Sequence, residues 1–240
     1  RLYLWRVNFL LYIWVAATIY LLVFYLYFHW TLVFYKPKPP KPFGKPVSVI
    51  ICARNEAGNL RSKLPKILSQ KNMVFEVLVV NDRSTDDSSE VLARLKMQYP
   101  NLTVLENEGD PNYTGKKRAL LLGLEKAKHN YFILTDADCS PKSDQWLATL
   151  ASVFNSKDLI LGVSPYTSST SLAGRLTQWE TLLTAQHYLS FALAGFPYMG
   201  VGRNMGYTRE LFEQSDKFQS HLHIPSGDDD LFVAQVATSK

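Results

Sequence analysis

From Val7 to Tyr35 the chain carries no Asp, Glu, Lys or Arg, and no other stretch restricts its folding so strongly. The run is rich in Leu, Val, Ile, Ala and aromatic residues, and about 20 apolar residues suffice to cross a bilayer. A water-soluble helix normally keeps one polar face, and this run has none. Trp5, Tyr25, Tyr27, Trp30 and Tyr35 stand toward its ends, where aromatic side chains anchor at the two membrane interfaces. It is too long for the apolar part of a signal peptide, and no small-residue cleavage site follows it. Residues 1–35 are therefore expected to form a transmembrane helix. Lys36, Lys38, Lys41 and Lys45 follow it, against Arg1 and Arg6 before it, so the positive-inside bias puts the rest of the chain in the cytoplasm. Residues 36–46 interleave Lys and Pro and read as a stiff, extended linker whose lysines face anionic membrane lipid.

Residues 47–240 carry a different pattern, in which apolar β-branched runs alternate with amphipathic ones. Val47-Ser-Val-Ile-Ile-Cys52 reads as a buried strand ending in the polar turn Ala53-Arg-Asn-Glu56. A helix with Leu60, Leu64, Ile67 and Leu68 on one face follows, then a strand from Phe75 to Val80. That strand runs into Asn81-Asp-Arg-Ser-Thr-Asp-Asp87, where Thr85 has the chemistry of a helix N-cap and Asp86 and Asp87 suit the first turn. Leu102 to Leu105 is expected as a third strand, followed by a polar loop to Thr114 and a basic helix start at Gly115-Lys-Lys-Arg118. Tyr131 to Leu134 is expected as a fourth strand, ending in Asp136-Ala-Asp138, and Leu159 to Val163 as a further one.

Strand-helix alternation of this length calls for right-handed crossovers and a mostly parallel sheet with helices on both faces. Every turn that follows a strand then lies on one edge, so 54–56, 81–84 and 136–138 should gather round one crevice. An Asp-x-Asp alone is common in solvated loops. Three charged or amide-bearing turns at successive strand ends favour a site. Two oxygen donors at the spacing of Asp136 and Asp138 suit Mg2+ or Mn2+. There is no Gly-x-Gly-x-x-Gly after the first strand and no Gly-x-x-x-x-Gly-Lys-Ser/Thr loop, which argues against dinucleotide redox chemistry and ATP hydrolysis.

With these pieces in order, the chain resembles the family 2 glycosyltransferases of GT-A fold. The resemblance rests on Val47 to Glu56, Val80 to Asp87, Gly115-Lys-Lys-Arg-Ala-Leu120, Asp136-Ala-Asp138, Gly202-Arg-Asn-Met-Gly-Tyr207 and Gly227-Asp-Asp-Asp-Leu231. It implies a Rossmann-like, mixed but mostly parallel sheet behind the transmembrane helix. It implies a nucleotide-sugar donor held by Ala53, Arg54, Asn55, Glu56, Asn81, Asp82, Lys116, Lys117, Asp136, Arg203 and Asn204. Asn81 stands where the family usually has the first of two aspartates. The metal, Mg2+ or Mn2+, falls to Asp136 and Asp138. Of the acidic pair Asp228 and Asp229, the second corresponds to the general base, with Asp230 leaving the register open by one. As a helix N-terminus, Ser226 followed by acids would look the same. The acceptor would be a glycan or lipid-linked, and the place the cytoplasmic face of a membrane, bacterial inner membrane by type.

The chemistry fits these residue types on its own terms. Displacement at an anomeric carbon needs a neutralised leaving diphosphate and a base for the attacking hydroxyl. A sugar-phosphate nucleotidylyltransferase, or an inert glycan-binding membrane subunit, would use similar features. The net charge of +5 is spread through the chain, which favours lipid and phosphorylated ligands and excludes nucleic acid as a partner. Cys52 and Cys139, each just past or at a strand end, read as reduced thiols. Leu172 to Ala194 reads as a long, largely apolar helix, either interfacial or core-packed, with His187 a packed residue rather than a metal ligand. Lys240 falls inside a helical pattern, as expected of a piece of a longer chain.

Overall fold

The computed structural model describes residues 2–37, 39–109 and 115–237, and side chains from residue 8 onward except that of residue 221. Arg1, Lys38, Thr114 and Lys240, and the side chains of Trp5 and Arg6, lie outside the described residues. By internal contacts the chain forms two compact units. One holds the N-terminal residues to Pro37 together with Pro165–Tyr198, and the other holds Lys38–Ser164 together with the residues from Met199 on.

In the first unit, helix α1 (Leu2–Val33) contains the segment Asn8–Val33, with mean hydropathy 2.2, which is long and apolar enough to span a bilayer. From Asn8 on, most of its side chains are exposed. A second long helix, Leu172–Leu193, packs on its C-terminal part. The rings of Phe28 and Phe191 stack at 3.9 Å, and Thr31 Oγ1 donates to the Ser190 carbonyl at 3.1 Å. His29 Nδ1 lies 3.2 Å from both Gln186 Nε2 and Ser190 Oγ. His187 meets the edge of the His29 ring, centroids 5.2 Å apart, so it is a packed residue. The segment expected to belong with residues 47–240 thus groups with the N-terminal helix. Neither helix gathers its apolar residues on one face, so the sequence carries no stripe from which that pairing could be foreseen.

The second unit is a six-stranded sheet. In chain order it contains β1 (Val47–Ala53), α2 (Ala57–Leu68), β2 (Phe75–Asp82), α3 (Ser88–Gln98), β3 (Leu102–Asn107), α4 (Lys117–Lys126), β4 (Tyr131–Leu134), α5 (Trp146–Ala151) and β5 (Leu159–Leu161). With the first unit's long helix counted as α6, there follow β6 (Met205–Thr208), α7 (Arg209–Gln214) and α8 (Asp230–Val236). The strand order is β3-β2-β1-β4-β6-β5. Strands β1 to β4 pair in parallel, while β6 runs antiparallel to both β4 and β5. This is the mixed, mostly parallel sheet that the alternation called for.

Period-two alternation splits the core between the two faces. Val49, Ile51, Val77 and Val79 pack with Leu60, Leu64, Leu92 and Leu147. Ile50, Leu78 and Phe132 pack with Leu120, Leu124, Tyr207, Phe212 and Phe232. Before α8 the backbone makes a left-handed turn with positive φ at Asp216, Lys217 and Phe218, none of them glycine. Such a residue costs about 1–2 kcal/mol, and the turn is held by Phe218, fully buried between Phe212 and Phe232.

The linker is less free than its composition implies. Phe43 packs its ring 4.7 Å from that of Tyr131 and 5.7 Å from that of Phe154. Lys45 Nζ reaches the Tyr131 hydroxyl at 2.9 Å, and Asn155 Nδ2 donates to the Lys41 carbonyl at 3.2 Å. From Lys41 on it is bound to the sheet unit and acts as a strap.

Candidate active site

The order β2-β1-β4 puts the chain reversal of the sheet between β1 and β4, and a crevice opens beyond the carboxyl ends of such strands. The turn after β1 is laced to the turn after β2. The Asn55 N–H donates to Ser84 Oγ at 2.9 Å, and Asn55 Oδ1 accepts from the Thr85 N–H at 2.7 Å. The Glu56 N–H donates to Ser88 Oγ and the Ala57 N–H to Asp86 Oδ2, both at 3.0 Å. Asn55 takes a positive φ of 56° to make these bonds, a conformation asparagine tolerates better than most residues. Thr85 is not the helix cap its sequence position implied: α3 begins three residues later, at Ser88, and the Ser88 amide that Thr85 would have capped goes to Asp86 Oδ1 at 3.0 Å. Ala53 is buried at the end of β1, and Arg54 is exposed.

Asn81 and Asp82 part company, as neighbours on a strand must. Asn81 Nδ2 donates to Ser89 Oγ (2.9 Å) and Glu106 Oε2 (2.8 Å), while its Oδ1 is buried without a hydrogen-bond partner. Asp82 accepts from Arg83 Nε (2.9 Å) and Asn107 Nδ2 (2.8 Å). Glu106 and Asn107 close β3 and hold this pair in place. Sequence reasoning missed them, because a polar strand end carries no motif.

The remaining polar groups converge around Cys52. Burial pushes its thiol up to about 12, opposed by Lys116 and reinforced by Asp228, Asp136 and Asp82. Lys116 is the N-cap residue of α4, and its Nζ lies 3.3 Å from Asp136 Oδ1 and 3.1 Å from Asp228 Oδ2. The two carboxylates hold its ammonium well above the usual lysine range against the effect of burial. Lys117 is fully buried, and burial lowers its pKa against the pull of Asp228, Asp230 and Asp229. Asp136 is half-exposed and Asp138 exposed, so both stand at the crevice. Lys63 Nζ holds the Asp138 carbonyl at 2.6 Å, and Cys139 Sγ lies 3.7 Å from Asp138 Oδ1.

The acidic run divides its labour. Asp228 is buried, and burial raises its carboxyl, with Lys116 pulling the other way and Asp229 adding to the rise. Asp229 caps α8: Oδ1 accepts from the Asp230 N–H and Oδ2 from the Gly202 N–H, each at 2.9 Å. The cap is therefore Asp229 and not Ser226, and Asp228 is the member that meets Lys116 and Asp136. Arg203 lies in the short turn Gly202–Asn204 beside them. Asn204 faces elsewhere, accepting from Trp146 Nε1 at 3.2 Å and donating to the Val163 carbonyl at 3.0 Å, a brace between α5 and the β5 end.

Two hard carboxylate oxygens, half-exposed or better, with a cation already seated on one of them, fit a divalent ion whose other ligands come from a diphosphate. Among the described residues no group of three His, Cys, Asp or Glu side chains is placed to hold a metal by itself.

Gly115 fixes how the α4 start meets the acidic loop. Its φ is +133°, and a Cβ there would lie 2.4 Å from the Pro225 carbonyl oxygen, which is backbone and cannot yield. Gly115→Ala is expected to lower stability by about 2–4 kcal/mol, read as a fall in the urea midpoint with an unchanged slope.

The family described as Glycosyl transferase family 2 matches residues 48–215. The glycosyltransferase AglE of Haloferax volcanii is 30% identical over 193 residues, which is 76% of this chain and 58% of that protein. Among solved structures, a mannosyltransferase from Pyrobaculum calidifontis in complex with GDP-Man and Mn2+ superposes with a TM-score of 0.59 at 24% identity. The match takes in 80% of this chain and 53% of that one. S. aureus TarS in complex with UDP-GlcNAc gives a TM-score of 0.56 at 19% identity, over 80% of this chain and 53% of that one. The chain thus spans between half and two thirds of the length of each.

Proposed function

The chain belongs to glycosyl transferase family 2, and from that premise we propose that it moves a sugar from a nucleotide-diphosphate sugar to an acceptor hydroxyl, with inversion, by direct displacement. The observation that carries this reading is the meeting of Lys116 with both Asp136 and Asp228 beyond the ends of β1 and β4. One crevice then holds the groups for the leaving diphosphate and the group for the attacking hydroxyl.

The nucleoside lies over the laced turns, with Asn81 and Asp82 at the end of β2 toward the base. Lys116 and the N-terminus of α4 draw the diphosphate. Asp136 and Asp138 would hold Mg2+ or Mn2+, which supplies positive charge against the departing diphosphate. Asp228 takes the proton from the acceptor hydroxyl as it attacks. Asp229 positions it, by fixing the start of α8 and the Gly202 turn. The base is thus moved one residue from the assignment by resemblance, because both Asp229 oxygens hold backbone amides.

Helix α1 anchors the enzyme, with the sheet unit on the cytoplasmic face and a glycan or lipid-linked acceptor approaching there. The full chain in detergent, incubated with Mn2+ and a panel of nucleotide-sugars, should release a nucleoside diphosphate with at least one of them. Pyrophosphate exchange in place of that release would establish a nucleotidylyltransferase instead. Stabilisation by the matching nucleoside diphosphate plus Mn2+, seen as a rise in Tm, identifies the base.

A further inference from the structure

The Lys116 ammonium occupies an oxygen that a divalent ion at Asp136 and Asp138 would need. We propose that Lys116 is a tethered counter-ion that competes with the metal for Asp136, so that metal binds well only together with the diphosphate that takes the ammonium over. The inference rests on the metal-and-diphosphate reading of the site.

Three features make the exchange feasible. The first is that both Lys116 and Asp136 are 40% exposed, so a cation from solution can reach Asp136 where the ammonium sits. The second is that the backbone under Lys116 is fixed, by the buried Lys117 on one side and by the Gly115 contact with Pro225 on the other. Only the flexible four-carbon side chain has to move. The third is the glycine at 202. A Cβ there would stand 3.6 Å from Lys116 Nζ and 3.7 Å from Asp228 Oδ2. A larger side chain at this position would wall the ammonium in, and its absence leaves room on that side.

Charge accounting sets the order of events. Asp136, Asp138 and Asp228 bring three negative charges, and Lys116 offsets one of them. A divalent ion arriving alone must displace the ammonium from Asp136 and leave it beside the newly bound ion. Arriving with a diphosphate, it brings the negative charge on which the ammonium can settle. The same move draws Lys116 away from Asp228, so the base is freed when the donor is in place.

The test is a Mn2+ titration of the full chain in detergent, followed by electron paramagnetic resonance. Wild type, Lys116→Gln, Lys116→Met and Lys116→Arg are compared with Mn2+ alone and with UDP, GDP, CDP or ADP added. The neutral variants are expected to bind Mn2+ alone about tenfold more tightly, and to lose most of the gain in Mn2+ affinity that the diphosphate confers on wild type. Lys116→Arg should stay close to wild type. Circular dichroism establishes that each variant is folded, and with two neutral replacements at a half-exposed position the test does not hang on one of them. Equal affinity for Mn2+ alone in wild type and in the folded neutral variants overturns the competition while leaving the proposed function intact. Failure of wild type to bind Mn2+ with any of the four nucleotides overturns both.

Discussion

Asp228→Asn is expected to lower sugar transfer by about 10²–10⁴-fold, the usual contribution of a positioned general base, with nucleotide and metal binding largely retained. The carboxyl is buried, and that burial raises its pKa despite Lys116 at 3.1 Å. A folded-state pKa above the unfolded one means that ionising Asp228 works against folding. Stability from this group is fully present below the unfolded pKa and is lost as pH rises through the folded one. At neutral pH the asparagine variant should therefore unfold at the same or a higher Tm than wild type, so that lost activity cannot be charged to lost structure. In wild type the acid limb of kcat/KM against pH should be displaced upward from that of an ordinary aspartate. Wild-type transfer rates in Asp228→Asn would return the base to Asp229, and Asp229→Asn is the matching control. That second variant should fall in Tm as well as in rate, since asparagine keeps one acceptor oxygen for the two amides, of Asp230 and Gly202, that Asp229 holds.

Asp138→Asn should abolish metal-dependent transfer at almost no structural cost. Asp138 is exposed, and among the described residues the hydrogen-bond partner of its carboxylate is the weak Cys139 thiol donor; surface substitutions of this kind usually stay within about 0.5 kcal/mol. The informative readout is the Tm rise conferred by Mn2+ plus the nucleoside diphosphate. It should vanish in Asp138→Asn and persist in Asp228→Asn. Persistence in both would remove Asp138 from the metal set.

Much of this site was legible in the sequence, and for a physical reason. Strands β1, β2 and β4 are short apolar runs cut off by polar turns, and a parallel sheet sends all such turns to one edge. That places Asp82, Lys116 and Asp136 near one another before any contact is known. The illegible parts are those in which several groups compete for a local role. Thr85 has the chemistry of a cap, yet the Ser88 amide that it would have capped goes to Asp86. Ser226 precedes the acids as a cap would, yet Asp229 does the capping because it also answers the Gly202 amide. The choice between Asp228 and Asp229 turned on which one met Lys116, and one register step in an acidic run carries no signal for that. The pairing of α6 with α1 was hidden for the opposite reason: neither helix gathers its apolar residues into one stripe, so no face is marked out.

The bonds between the first two turns bear on how the donor pocket moves. Asn55, Glu56 and Ala57 on one side, and Ser84, Thr85, Asp86 and Ser88 on the other, exchange partners in both directions. Neither turn can open without stripping amides and acceptors that belong to the other. Local openings in proteins proceed in cooperative blocks, and here the block includes the ends of β1 and β2. If the nucleoside lies there as proposed, its floor opens only as rarely as those sheet ends fray, and adjustment to different donors falls to the opposite wall, with the Lys116 side chain and the Gly202 turn.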